Sequence, residues 1–186
     1  MPPRPWTWLR QGHGADVVTV TAAGEHAGEP ADAAVTSVPG AALVIRTADC
    51  APVALLSESV VGVAHAGWRG LVGGVVERTV ELMRSAGAGP ITARIGPCVA
   101  PDAYEFGSEE LAAVADRYGD RVRGTTGRGA PALDLAAGVA AALERSGVAL
   151  DGGLPPPCTA TLADTYFSHR ARAEPGRQAS FVWLEA

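Results

Sequence analysis

The sequence predicts a mixed α/β fold, a single-domain sandwich in which a mixed β-sheet is flanked by helices. Three observations predict it. Short β-branched apolar runs of strand length recur through the first half of the chain, as at residues 17–21, 42–47, 52–56 and 60–64. Longer stretches with apolar residues at helical spacing follow at 71–85, 109–118 and 135–145. The two kinds are mixed without strict alternation, which favours helices packed on a sheet over a regular βαβ series. With 186 residues, 47% of them apolar, the chain can bury a sizeable core, roughly 70% of its unfolded surface at this size. No repeat or internal boundary divides residues 1–186.

Taken in order, residues 6–9 and 17–21 read as strands flanking Gln11-Gly12-His13-Gly14-Ala15-Asp16, which places His13 on a loop between two glycines. Residues 22–32 read as a Gly/Glu/Ala-rich surface loop with His26 solvated. Residues 33–37 and 42–47 are further strands, the second running into Asp49-Cys50. Residues 52–56 and 60–64, joined by Ser57-Glu58-Ser59, read as a hairpin. That pairing would bring Cys50, before the first strand, beside His65, after the second. A helix is expected over 71–85, through Val72, Val75, Val76, Val80 and Met83, stopping at Gly87. Residues 91–95 form a strand ending in Gly96-Pro97-Cys98. Ser108 is expected to cap a helix over 109–118, and Asp134 one over 135–145. A Gly/Pro-rich loop at 151–157 leads to Cys158, and a last strand is expected over 180–184.

Charge and cysteine usage narrow the function. A net charge of −5 and a pI near 5.3 argue against a nucleic-acid binder, and the absence of lysine, with arginine as the only basic side chain besides histidine, fits a GC-rich genome. No run is long enough to cross a bilayer, and MPPRPWTWLRQGHG carries no apolar signal region, so a cytoplasmic protein is expected. Cys50, Cys98 and Cys158 lie far apart with no CxxC pair, which gives neither a disulfide framework nor a structural zinc ribbon.

His13, Cys50 and His65 are the candidate metal ligands. Two imidazoles and a thiolate suit zinc, and three protein ligands keep a fourth position open for chemistry. The ligands are separated by 37 and 15 positions, which matches no local metal motif. Spacing alone therefore leaves open that Cys50 is a small buried hydrophobe and His65 a strand-end histidine. Copper is the other candidate ion. Four histidines are too few for a multicopper oxidase, which needs roughly ten, whereas a mononuclear blue-copper centre requires only two histidines, a cysteine and a weak axial ligand, often Met. Met83 lies in a predicted helix. A metal-free hydrolase or deamidase, with His65 activating Cys50, is a further alternative.

QGHGADVV, TADCAPVALL, VAHAGWRG, IGPCVAPDAYEFG and FSHRARAEPGRQASFVWL together resemble the YfiH-like family, once labelled polyphenol oxidases or laccase-domain proteins. The similarity runs over essentially the whole chain, and ADC followed by HAGWRG is specific in combination. The resemblance implies an α/β sandwich related in layout to cysteine-dependent deamidases, and zinc held by His13, Cys50 and His65. It also implies a purine nucleoside phosphorylase acting on adenosine, inosine, guanosine and methylthioadenosine, with adenosine deaminase activity in the same site. Its partners would then be purine nucleosides and phosphate.

Deamination needs a carboxylate to shuttle a proton, and the HxE pattern of zinc deaminases is absent after His65. Asp49 is the candidate, with orientation of a metal-bound histidine as its alternative role; either requires a loop or bulge to turn it toward Cys50. Phosphorolysis needs anion binding. Gly67 to Gly70 offers backbone N–H groups at a helix start, and Arg69 adds a forked cation for phosphate or negatively charged intermediates. Arg46, His169, Arg170 and Arg177 are further candidates of that type. Trp68 is either core packing or a purine platform, Cys98 is expected to be structural or substrate-adjacent, and Cys158 structural. Family members have an additional segment before the first metal histidine, so either a short form or a misassigned start is expected, with a non-catalytic role as one reading. They also carry a Tyr and two adjacent arginines where this chain reads His169-Arg170-Ala171-Arg172.

Overall fold

The computed structural model describes residues 1–185. Six strands come first: β1 (Trp6–Trp8), β2 (Val17–Val20), β3 (Ala33–Thr36), β4 (Ala42–Thr47), β5 (Ala51–Leu56) and β6 (Val61–Ala66). Helices α1 (Trp68–Val72) and α2 (Val75–Ser85) follow, then β7 (Thr92–Ile95), α3 (Ser108–Tyr118), β8 (Arg123–Thr125) and β9 (Pro131–Leu133). The chain continues through α4 (Leu135–Arg145), β10 (Ala149–Leu150), α5 (His169–Arg172) and β11 (Gln178–Val182).

A six-stranded mixed sheet runs in the order β10-β7-β5-β6-β3-β2, and a three-stranded sheet in the order β1-β4-β11. The alternation of side chains along a strand divides the core in two. Ala33, Val35, Ala64 and Ala66 pack with Leu71, Val75, Val76, Val80 and Met83 on the helical face of the large sheet. Ala34, Val61 and Val63 turn the other way, onto Leu43, Ile45 and Val182 of the small sheet. The result is the mixed sandwich with flanking helices that the sequence predicts. His65 continues the series Val61, Val63 and Thr47 the series Leu43, Ile45. Both therefore point into the space between the sheets, where that space opens at its end.

The hairpin forms, with Ala51 opposite Ala66 and Pro52 opposite His65. Its second strand runs two residues further than expected, so His65 lies within β6. The expected helix over 71–85 is two helices. Gly74 adopts φ +84°, a conformation that glycine adopts without the steric cost of a Cβ, and the chain restarts there as α2. Asp134 caps α4, its carboxylate accepting from Ala137 N at 2.9 Å. Ser108 does not cap α3: Gly107 holds the cap position and Ser108 is the first helical residue. The last strand begins and ends two residues earlier than expected. The β8–β9 hairpin, β10 and α5 were not expected. Among the described residues no helix is long and apolar enough to cross a membrane.

Candidate metal centre

Register and a single buried carboxylate assemble the site. The pairing of β3 with β6 sets Ala33 against Ala64, and one step further His65 N donates to Asp32 O at 2.8 Å. Cross-strand neighbours share a face, so the carboxylate of Asp32 meets the imidazole of His65, whose Nδ1 donates to Oδ1 at 2.8 Å. The same carboxylate accepts from the backbone N–H groups of Gly12 (3.2 Å), His13 (2.8 Å) and Gly14 (2.7 Å). Asp32, only 3% exposed, thus ties the loop carrying His13 to the strand carrying His65. It also fixes the tautomer of His65, because a carboxylate only accepts, which leaves Nε2 for a ligand.

Cys50, one residue before β5, completes the group. Ligand atoms of His13, Cys50 and His65 all lie within 4.8 Å of one another, and the two imidazoles meet edge to face at 4.8 Å. Burial disfavours ionisation of Cys50, but contacts with His13 and His65 outweigh it and bring the thiol down to about 7. Burial likewise opposes charge on His65, but Asp32 and Cys50 raise it to about 9. Burial would raise Asp32, yet His65 and the amides of Gly14 and Gly12 hold it below the usual carboxylate range. A divalent ion must displace the protons on Cys50 Sγ and His65 Nε2. Zinc affinity, measured against a competing chelator, should therefore rise steeply up to pH 7, more gently from 7 to 9, and level off above 9. An affinity independent of pH over that range would show that these groups do not bind the ion.

The donor set fits a metal. A Cβ built on Gly67 would stand 2.9 Å from His13 Cδ2 and 3.1 Å from Cys50 Sγ, so the space beside the ligands admits only glycine. Met83 cannot serve as axial ligand to a blue-copper ion: it is wholly buried on the helical face of the sheet, opposite to the face of His65. The same contacts would activate Cys50 as a nucleophile in a metal-free protein.

Two clefts meet at His13, Cys50 and His169. The first, about 530 Å³, is lined by Arg10, Gln11, Arg46, Thr47 and Arg177 as well as His65. The second, about 300 Å³, is lined by Asp49, Gly67, Trp68, Arg69, Tyr104 and Arg170. Trp68 packs edge-on against Phe106, with the Arg69 guanidinium 4.7 Å above its ring; Arg170 lies 4.9 Å above Tyr104. Helix α1 is only five residues long, so the helix dipole expected behind Gly67 to Gly70 is slight.

Asp49 has the off-strand geometry that the sequence reading requires, with φ +92°. Its Oδ1 accepts from Thr159 Oγ1 and Ser168 Oγ, both at 2.7 Å, and its Oδ2 from Arg170 N at 2.6 Å. It hydrogen-bonds to neither candidate metal histidine; Asp32 makes that contact. Asp32, Thr47, Arg10 and Tyr104 were not singled out from the sequence. The one available signal for Asp32 was its position immediately before the fully apolar run Ala33-Ala34-Val35.

These features define a mixed α/β sandwich protein with a candidate two-histidine, one-cysteine metal centre between an arginine-lined and an aromatic cleft. Residues 1–185 match the family described as multi-copper polyphenol oxidoreductase laccase, and the chain belongs to that laccase-like, YfiH-type family. It is 46% identical over 184 residues to the purine nucleoside phosphorylase SCO2081 of Streptomyces coelicolor, covering 96% of this chain and 74% of that protein. It is 35% identical over 198 residues to the purine nucleoside phosphorylase YfiH of Escherichia coli, covering 99% and 75%. The crystal structure of protein NMB0706 from Neisseria meningitidis superposes with a TM-score of 0.85 at 34% identity, over 98% of this chain and 76% of that one. The family's "multi-copper" label implies several copper sites, whereas the described residues hold one cluster of three such ligands.

Proposed function

We propose that the chain is a zinc-dependent purine nucleoside phosphorylase, with adenosine deamination as a second activity of the same site. The observation that carries this reading is the convergence of His13, Cys50 and His65 within 4.8 Å at the junction of two chemically different clefts. The names of the relatives support it. A zinc ion on these ligands would supply Lewis-acid polarisation at an open fourth position.

The remaining steps fall to the chain's own groups. In phosphorolysis a phosphate oxygen bonds to the anomeric carbon of the ribose while the bond to the purine nitrogen breaks, its electron pair leaving with the base. The rings of Trp68 and Tyr104 suit a flat purine, and Arg69 and Arg170, stacked on those rings, stand where negative charge gathers on the departing base. His169, at the junction, can contact the sugar from either cleft. Asp49 positions the segment that carries His169 and Arg170. In deamination a water oxygen bonds to the amino-bearing carbon of the purine while the bond to the amino nitrogen breaks; the lone pair that Arg170 N leaves on Asp49 Oδ2 would take the water's proton and pass it to the nitrogen, which leaves as ammonia.

Chromatography of adenosine incubated with purified protein tests this directly. Adenine should appear only with phosphate present, inosine in its absence, and hypoxanthine when both steps run in sequence. Adenosine unchanged in both conditions would reject the reading.

A further inference from the structure

The arginine-lined cleft has a composition that the rest of the molecule does not share. A chain with a net charge of −5 gathers Arg10, Arg46 and Arg177 on one cleft, and none of the three has a carboxylate partner among the described residues. No carboxylate lines it. The edge of the cleft is fixed by Gln11, which donates to Arg46 O at 2.8 Å and accepts from Arg46 N at 3.0 Å, while the Arg46 guanidinium lies 5.1 Å over the ring of Trp8, on the face of β4 opposite to Thr47. Nη1 of Arg177 is fixed by the carbonyls of Glu174, Pro175 and Gly176.

Thr47 supplies an independent observation. It is 2% exposed, it lines this cleft, and its Oγ1 has no hydrogen-bond partner among the described residues. A buried hydroxyl without a partner is costly unless something in the cleft accepts from it. Strand alternation puts it on the same inner face as Leu43 and Ile45, facing the side from which His65 projects.

We propose that this cleft is an oxyanion subsite, in which the Thr47 hydroxyl and the guanidinium groups of Arg10 and Arg177 hold phosphate, free or as the sugar 1-phosphate product. The inference rests on the phosphorolysis reading and deepens it by dividing the substrates, with phosphate between the sheets and the purine in the aromatic cleft. The metal ligands lie at the junction, where the sugar must bridge the two. Planar guanidinium groups suit a phosphate, which presents an acceptor to each donor.

Calorimetric titration with inorganic phosphate and, separately, with ribose 1-phosphate tests the assignment, alongside the phosphate KM for adenosine cleavage. Thr47→Val should weaken phosphate by about tenfold or more in both Kd and KM with zinc content unchanged, and Thr47→Ser should keep wild-type affinity. Arg177→Gln, at an exposed side chain, tests the same claim where Thr47→Val fails to fold, and should show a loss of the same size. Arg69→Ala should keep wild-type phosphate affinity while lowering turnover. Binding of ribose 1-phosphate but not inorganic phosphate, weakened by these variants, identifies the product as the occupant and supports the subsite. Phosphate affinity untouched in Thr47→Val and Arg177→Gln overturns it even if adenosine is cleaved. Phosphate binding that depends on both residues, in a protein that does not cleave adenosine, leaves the subsite standing and removes the proposed reaction.

Discussion

Replacing Asp32 with asparagine is expected to cost the protein its metal site, although the two side chains have nearly the same shape. Oδ1 of Asp32 accepts from His13 N and His65 Nδ1, and Oδ2 from Gly12 N and Gly14 N. An asparagine presents only one acceptor oxygen. With that oxygen toward Gly12 and Gly14, the NH₂ group faces the His13 N–H and forces His65 Nδ1 to accept. His65 then carries its proton on Nε2, the nitrogen that the ion needs. With the amide flipped, the NH₂ group faces two backbone donors. Either way a buried donor meets a donor, and zinc affinity should fall by about 10–100-fold or more. Asp32→Ala removes all four acceptor contacts from a group that is 3% exposed, and breaking a buried pair from one side costs about 3–5 kcal/mol. That is a large share of the stability of an ordinary domain. Urea unfolding of both variants, with zinc competition on the asparagine form, measures the two effects. An Asp32→Asn protein that binds zinc like the wild type would show that Asp32 does not set the tautomer.

Gly67→Ala should be the other severe change, by a steric route alone. Gly67 has φ −79° and ψ 165°, extended backbone that any residue adopts. The added methyl would nevertheless lie 2.9 Å from His13 Cδ2 and 3.1 Å from Cys50 Sγ. Both neighbours belong to the candidate ligand set, so the strain is relieved by spreading the site. Zinc affinity should drop about tenfold or more, while stability changes by about 1–3 kcal/mol, the usual cost of overpacking. Gly127→Ala, where a Cβ meets nothing within 4 Å, is the matched control and should alter neither quantity. Equal zinc affinity in both alanine variants would mean that the ligands have room to yield.

The hairpin was legible because its two apolar runs are joined by a short polar turn, and a hairpin's register follows from its turn. Cys50 and His65 could therefore be paired from sequence. The role of Asp32 could not, because β3 reaches β6 across an intervening β4 and β5 that belong partly to another sheet. Reading residues 22–32 as a surface loop hid the buried carboxylate at its end. The break between α1 and α2 did carry a signal, the adjacent Gly73 and Gly74, which the helical spacing on either side masked. Strands β8 and β9 have three residues each, too few to show a period. Helix α5 has four, and its start is held by Ser168, whose hydroxyl accepts from Ala171 N and donates to Asp49 far back in the chain. Tertiary contacts of that kind leave no local trace. The orphaned hydroxyl of Thr47 is likewise a property of packing, because alternation predicts its face but not the lack of a partner.

Metal analysis of purified wild-type, Cys50→Ala and His65→Ala proteins tests most directly whether three distant side chains share one ion. The account predicts close to one equivalent of zinc in the wild type and almost none in either variant. A wild-type protein that stays active after exhaustive chelation, or variants that keep their metal, would contradict it.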